Sequence, residues 1–444
     1  MRDLILGKHI RYVFDTANPF EAVMVDTCII QVLNEDYRSD NLVHFLDGSK
    51  DLRNPVVFEP IEQKVYLNTQ NSVIFKPSAY NMHIWELYGE KVKELYNQWW
   101  DKIETSKKIS QNSVELQKYR ESLKPGDIAL LGCLTEGGQG LATANNGKYI
   151  AVRKSTKWAG NIIESRPKKL QDAVTRFKIS PRELNGLSPA EFLRTSSEQD
   201  IAETFDRLKE RYGRDIFGQG YIYKLIDDSD LADVDSLTDD EKENGIDSSK
   251  KYYVPYDKGD KDGNRWYLET PFAIAWSKDN VHFLKTHSGK KGPGMPVVRN
   301  QQFNFKEGFC WNNVLNPQAR LLKAKIKAAT VNDVGSMSLS SICKQVPNYY
   351  FVSILNSNLI FNYYRTFINC SVNIQINDIR MLPIIIPTQE SLSSIEPLFH
   401  RAVEIRKHIS LAANIDDRSV EELRNIEETI DGFVEHLYLI NAPN

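Results

Sequence analysis

Between Tyr80 and Ile103 the apolar residues Ile84, Trp85, Tyr88, Val92, Leu95, Tyr96, Trp99 and Ile103 recur every three or four positions, which predicts one long amphipathic helix. A second helix, Ser113 to Leu123, runs into Lys124-Pro125-Gly126, a stop because the residue before a proline avoids helical backbone angles. The β-branched run AVMVDTCIIQVLN (Ala22 to Asn34) predicts a buried strand of an α/β sheet, with room before it for at most one short helix, Arg2 to Phe14. From Pro19 to Pro77, strand-like pieces such as NPVVFEP and KVYLN alternate with polar turns. Further strands are predicted at Asp127 to Leu131, Lys148 to Val152, Gly220 to Leu225 and Phe272 to Trp276. Glu164 to Arg211 reads mostly helical, and two amphipathic helices, about Ser391 to Ala413 and Ser419 to Leu439, close the chain. The sum is a mixed α+β chain without internal repeats.

With 444 residues, 41% hydrophobic and 26% charged, the chain can bury two or three cores of roughly 100 to 200 residues each. That excludes a disordered tail and a disulfide miniprotein. No window approaches about 18 consecutive apolar residues, and MRDLILGKHIRYVF is too short and too charged for a signal peptide, so no membrane partner and a cytoplasmic location are expected. Cys28, Cys133, Cys310, Cys343 and Cys370 contain no Cys-x-x-Cys pair and are expected to be buried reduced thiols.

A net charge of -3 points to no polyanion, but its distribution does. Asp227 to Asp247 holds ten acidic residues and one lysine, whereas Lys251 to Thr330 holds fourteen basic residues against six acidic ones. Ten carboxylates so close together repel one another, so the block is expected to be an exposed, mobile insertion beside a cationic face.

Searches for catalytic constellations return little. There is no Gly-x-x-x-x-Gly-Lys-Ser/Thr, Gly-x-Ser-x-Gly or His-Glu-x-x-His. Gly137-Gly138-Gln139-Gly140 has no following lysine beside a metal-binding hydroxyl, and His282 and His287 lack a third ligand. Asp51 with Glu62-Gln63-Lys64 fits the loose Asp…Glu-x-Lys nuclease pattern, which a charged chain of this length matches by chance.

What remains are four loop-like segments, Glu136 to Val152, Tyr252 to Tyr267, Thr286 to Val314 and Phe361 to Ile384. Each combines glycine or turn residues with Asn, Gln, Lys, Arg and aromatic side chains. Such a set suits nucleic acid: cations neutralise phosphates, amides bond an adenine edge in two places, and aromatics pack on bases or sugars.

These segments resemble the C-terminal target-recognition half of adenine-specific DNA methyltransferases of type IIG restriction-modification systems. Gly140, Leu141, Thr143 and Asn146 stand in that family's glycine-rich Gly-Leu-x-Thr-x-x-Asn pattern, and Lys258, Gly259, Trp266 and Tyr267 in its lysine-glycine segment closing on Trp-Tyr. Arg299, Asn300, Phe305 to Gly308 and Trp311 are similar to the next stretch. Asp378, Ile379, Leu382, Pro383 and Ile384 match a strand-like ending, and Glu427 to Ile430, Asp431, Leu437 and Tyr438 the terminal helix. The resemblance implies that NPFEAVMVDTCIIQVLN forms late strands of a Rossmann-like catalytic sheet. The family's cofactor loop and Asn-Pro-Pro-Tyr motif are absent; Asn18-Pro19-Phe20 and Pro347-Asn348-Tyr349-Tyr350 lack the proline pair that shapes a loop for a flipped adenine.

The resemblance therefore implies a remnant of the methyltransferase sheet over 1–78, a helical linker over 79–125, a target-recognition domain over 126–388 with the acidic insertion 227–247, and C-terminal helices over 389–444. The expected partners are double-stranded DNA and the missing N-terminal methyltransferase half. No cofactor is expected in this chain, S-adenosylmethionine belonging to the complete enzyme, and no catalytic or metal-ligating residue; the chain alone is expected to be inactive. Phosphate-facing candidates are Lys148, Lys258, Lys261, Arg265, Lys285, Lys290, Lys291 and Arg299. Base-edge candidates are Gln139, Thr143, Asn145, Asn146, Asn264 and Asn300, followed by Asn373, Gln375 and Asn377. Two alternatives stay open. One is the specificity half of a phage-exclusion defence methyltransferase without nuclease. The other is a helical interaction subunit that binds protein through Trp85, Trp99, Trp100 and the terminal helices.

Overall fold

In the computed structural model, residues 2–20, 26–105, 110–218, 222–259, 264–314, 320–411 and 416–440 are described. Of the span Arg2 to Phe14, with room for at most one short helix, only Arg2–Leu6 is helical, and the chain then extends into β1 (Lys8–Ala17). The reason is composition, since Ile10, Tyr12, Val13 and Phe14 are β-branched or aromatic and suit a pleated surface. β1 is antiparallel to β2 (Thr27–Asp36) and parallel to β3 (Leu42–Asp47), which also pairs with β4 (Val56–Val57) and β5 (Ile61–Glu62).

β2 corrects the expectation of a buried strand. It has a single neighbour and lies at the sheet edge, with Ile29 61% and Val32 38% exposed. Ala22 to Val25 of the predicted strand lie outside the described residues. KVYLN is a correction too: Lys64–Leu67 is a helical turn that buries Val65 and Tyr66. Just before it, the fully buried Gln63 amide donates to the carbonyls of Leu6 (2.9 Å) and Lys8 (2.7 Å) and accepts from the N–H of Ile10 (2.9 Å), tying the first helix to the sheet.

The long helix forms where periodicity predicts it. Ala79–Leu95 is capped by the Ser78 hydroxyl, which accepts from the Asn81 N–H, and continues through wider turns over Tyr96–Thr105. Ile84, Tyr88 and Val92 face inward, and Trp99 and Trp100 are buried as well. Those two tryptophans are consumed inside the chain, so the interaction-subunit reading loses two of its three anchors.

After the helix Val114–Ser122 comes β6 (Ile128–Leu130), then the strands of a large mixed sheet. These are β7 (Thr135–Gly138), β8 (Ile150–Arg153), β9 (Lys224–Ile226), β10 (Tyr253–Asp257), β11 (Trp266–Tyr267), β12 (Phe272–Ala275), β13 (Lys306–Cys310), β14 (Lys325–Asn332) and β15 (Ser338–Ser341). They are ordered β7-β15-β13-β14-β10-β12-β8-β9, with β11 beside β14. β8–β9, β10–β14 and β11–β14 pair in parallel and the rest antiparallel, so the fold is α+β, as expected. Between β8 and β9 a helical lobe, including Lys157–Phe177, Pro189–Thr195 and Glu198–Tyr212, packs its own core around Phe192, Phe205, Leu208 and Phe217. Reciprocal caps, Ser188 with Glu191 and Ser197 with Asp200, start the last two helices.

β16 (Pro383–Ile385) returns to pair antiparallel with β6. The closing helices Gln389–Leu411 and Asp417–Glu435 then join the N-terminal sheet and the long helix in one apolar core running from Leu6 to Tyr438. Tyr438 pins this closure, because its hydroxyl donates to the Pro383 carbonyl at 3.0 Å and its own carbonyl accepts from the Tyr88 hydroxyl. Among the described residues no helix is long and apolar enough to cross a membrane.

Two further expectations are corrected. Cys133, Cys310 and Cys343 are buried, with burial pushing the Cys133 thiol up to about 12, but Cys28 and Cys370 are exposed. The acidic block is folded, with a helix Asp239–Asn244 that begins at the Thr238–Glu241 capping box. Ile246 behind it is 1% exposed and exchanges backbone hydrogen bonds with Trp276 and Lys278 (2.8 and 2.9 Å), while Asp227 and Asp228 pair with Lys154 and Arg153. Most of the carboxylates are exposed, on a backbone anchored by Ile246 with Leu231, Ala232 and Leu237 packed against the sheet's core. Ile246→Ala is expected to cost about 2–5 kcal/mol, measured as the shift of the urea midpoint; a loss under about 0.5 kcal/mol would return the block to the status of a surface loop.

Candidate nucleic-acid interface

The glycine-rich segment leaves β7 and crosses the end of β14 at very short range. The N–H of Leu141 donates to the Asn332 carbonyl at 2.7 Å, and a Cβ on Gly140 would lie 1.9 Å from that oxygen. Only glycine permits this approach. Below it lies a buried polar layer, in which Asn332 Nδ2 donates to Ser338 Oγ at 3.1 Å and the Ser336 hydroxyl to the buried Asp257. Lys327, 2% exposed, donates to the Lys306 and Ala328 carbonyls (3.4 and 3.3 Å), and its burial pulls its pKa down.

Beyond Gly140 the segment meets a loop more than 140 positions away in sequence. Ala142 and Val297 exchange two backbone hydrogen bonds of 2.9 Å. Two residues on, Arg299 Nη1 donates to Gln139 Oε1 at 2.7 Å and Asn300 Nδ2 to the Gln139 carbonyl at 2.9 Å. Asn300 takes a left-handed φ of 47° over Gly138, where a Cβ would stand 2.4 Å from its amide nitrogen. Three of the predicted residues, Gln139, Arg299 and Asn300, are thus one hydrogen-bonded cluster. Arg299 occupies the oxygen of Gln139, leaving its NH2 as a donor, while Asn300 uses its NH2 and keeps Oδ1 as an acceptor. One donor and one acceptor side by side are what an adenine edge requires.

Thr143, Asn145 and Asn146 are arranged differently from the expectation that each asparagine bonds a base edge in two places. Thr143 is 1% exposed and donates to Asn146 Oδ1 at 2.6 Å, while Asn145 Oδ1 accepts from Lys209 Nζ at 3.4 Å. Both amides keep free N–H donors, which suit phosphate oxygens or the acceptor edge of guanine. Thr143 supports the turn from inside and cannot reach a base.

Among the cations, Lys290 and Lys291 are exposed on the 286–300 loop and form no ion pair among the described residues. Lys148 is exposed on the neighbouring turn, its ammonium 5.5 Å from the rings of Tyr149 and Phe283, and Phe283 stacks on His287. Lys258 lines a cleft with Asn145 and Asn146. Lys285 is partly tied to the acidic block, bonding Asn244 Oδ1 at 2.9 Å and facing Glu243 at 3.9 Å.

Other predicted residues lie elsewhere. Arg265 is a correction: it turns inward, forms an ion pair with Glu427 of the C-terminal helix, and has its pKa lowered by burial. A guanidinium spent on holding two elements together is not a phosphate contact. Asn264 beside it is half-buried, and Lys261 lies outside the described residues. Asn373, Gln375 and Asn377 are exposed; the Asn377 side chain donates to Glu104 at 3.2 Å, while the Gln375 N–H donates to Asp378 and the Asn373 backbone carbonyl accepts from Asn369 and Ser371. Sequence reasoning missed Lys209 and Arg214, which the helical lobe brings against Asn145 and the Ala144 carbonyl (3.2 Å). Their only signal was a basic, amphipathic helix end.

No known protein family matches the chain, and no curated protein is similar to it in sequence. Among solved structures it is similar to the type IIL restriction-modification enzyme MmeI in complex with DNA, at 10% identity and a TM-score of 0.43. That match covers 99% of this chain and 44% of the other, so the chain spans less than half of that enzyme's length.

Proposed function

We propose that this chain recognises a DNA sequence on behalf of an adenine-specific DNA methyltransferase of a restriction-modification system. The observation that carries the reading is the joining of two distant, polar, glycine-rich segments, 139–148 and 285–300, through Ala142 and Val297. The joined surface sets a donor–acceptor pair, Gln139 with Asn300, beside Arg299 and the exposed Lys148, Lys290 and Lys291. Amides at the centre read base edges, and cations around them hold the phosphate backbone. In this reading S-adenosylmethionine and the catalytic Asn-Pro-Pro-Tyr loop belong to a separate N-terminal methyltransferase half. The exposed Ile29 and Val32 of β2 support such a partner, because an edge strand with apolar side chains in solvent invites pairing.

The test is duplex binding as a function of salt. Replacing Lys290 and Lys291 together with alanine is expected to make the slope of log affinity against log salt shallower by roughly 2, about 0.9 per phosphate contact, with equal losses on all sequences. Absence of duplex binding by the unmodified chain at low salt would overturn the reading.

A further inference from the structure

The turn that carries Asn145 and Asn146 also forms one wall of a cleft of about 410 Å³, whose opposite wall is the end of the helix Glu198–Tyr212 with Arg214 and whose floor includes Lys258. Its volume lies in the range of small-ligand sites, roughly 300–1,000 Å³. None of its lining residues among those described is aromatic. It is instead rich in hydrogen-bond donors.

Asn145 and Asn146 have their oxygens engaged and present NH2 groups, and Lys209, Arg214 and Lys258 add three cations. Against these cations stand two carboxylates among the described lining residues, each with a partner of its own. Asp333 accepts from the Tyr256 hydroxyl at 2.6 Å and from the Gly335 N–H at 2.7 Å, and Asp215 faces Arg214 at 3.5 Å. Lys209 is the most informative member: it is 9% exposed, its ammonium bonds only an amide oxygen at 3.4 Å and lies 5.2 Å from the Tyr223 ring. The nearby Asp206 is held by the Tyr223 hydroxyl, and burial raises its pKa. Asp206 and Asp215 favour its charged form from a distance, but among the described residues it has no ion pair, so an anion in the cleft would find a buried ammonium to meet. The backbone is shaped for the same purpose, since Ala144 takes a left-handed φ of 55° that directs its carbonyl to Arg214.

We propose that this cleft binds a phosphate group, held by Lys209, Arg214 and Lys258 together with the amides of Asn145 and Asn146. The ligand chemistry is a tetrahedral oxyanion with several acceptor oxygens. Its source is a backbone phosphate of the duplex or a free phosphorylated small molecule. The duplex source rests on the reading above; the oxyanion chemistry does not.

Inorganic phosphate and duplex DNA are titrated separately into the full chain and into an Arg214→Gln/Lys258→Gln double variant. This pair is chosen because Lys209 is too buried to replace safely, and thermal unfolding confirms that the variant is folded. Saturable phosphate binding by the unmodified chain, lost in the variant, with a duplex salt slope shallower by roughly 2, is the expected result. Phosphate binding lost with an unchanged slope assigns the cleft to a free phosphorylated ligand and overturns the duplex source. No saturable phosphate binding, or equal binding by the variant, together with an unchanged slope overturns the site even if DNA still binds through Lys290 and Lys291. Phosphate binding by a chain that binds no duplex leaves this site standing and overturns the function proposed above.

Discussion

Glu427→Ala is expected to lower the stability of the chain by about 3–5 kcal/mol, the usual consequence of removing one partner of a buried ion pair. Glu427 sits 17% exposed on the C-terminal helix and serves two residues of the large sheet at once. One carboxylate oxygen pairs with Arg265 and the other accepts from Trp266 Nε1 at 2.7 Å, the tryptophan itself being 1% exposed. Alanine would leave a buried guanidinium and a buried indole N–H without acceptors. The measurement is the urea midpoint of Glu427→Ala against Glu427→Gln and an Arg265→Met/Glu427→Leu double variant. Glutamine keeps one acceptor, and the apolar pair removes the uncompensated charge, so both are expected to lose less than alanine does. The duplex salt slope should stay unchanged in every case, because Arg265 faces inward. A loss of under about 1 kcal/mol, the range of an exposed pair, would show that water already screens this contact.

Gly140→Ala is expected to have the largest effect on sequence discrimination, because it reaches the recognition surface directly. Its new Cβ would meet the Asn332 carbonyl oxygen at 1.9 Å and the carbonyl carbon at 2.3 Å, backbone atoms of a central strand that have little room to yield. Overpacking of this kind costs about 1–3 kcal/mol and sometimes more. Relief comes from lifting the segment off β14, which would move Gln139 away from Arg299 and Asn300 and pull Ala142 from Val297. Sequence discrimination should therefore collapse while random duplex is still held by Lys290 and Lys291. Gly160→Ala is the control: that glycine lies inside the helix Lys157–Phe177 with nothing within 4 Å of its missing Cβ, so alanine there should add about 0.5–1 kcal/mol. A Gly140→Ala variant with an unchanged midpoint and intact discrimination would show that the close approach plays no part in recognition.

Periodicity located the helices well. Ala79–Leu95, Val114–Ser122 and the two closing helices stand where the apolar spacing and the stop at Pro125 put them, because a helix is a local structure whose buried face is written in its own residues. Strands were legible only in part. KVYLN became a helical turn and the segment after Gly7 became β1, because four or five apolar residues fit either element and the neighbouring chain decides between them. The exposure of β2 was hidden for a related reason: a β-branched run looks the same at the centre of a sheet and at its edge.

The same division runs through the candidate site. Residue types and glycine spacing marked Glu136 to Val152 and Thr286 to Val314 among the segments able to meet a nucleic acid, and that much is local chemistry. Which side chains face outward was settled by partners distant in sequence: Glu427 takes Arg265 out of the surface, while Lys209 turns Asn145 into a donor and Arg299 does the same for Gln139. The acidic block carries this furthest, since its ten carboxylates announce a solvated loop but Ile246, docked beside Trp276, and Leu231, Ala232 and Leu237 fold it against the sheet. Charge and periodicity are properties of a segment and can be read from it alone. Hydrogen-bond occupancy and burial belong to pairs of segments, and only the tertiary structure brings those pairs together.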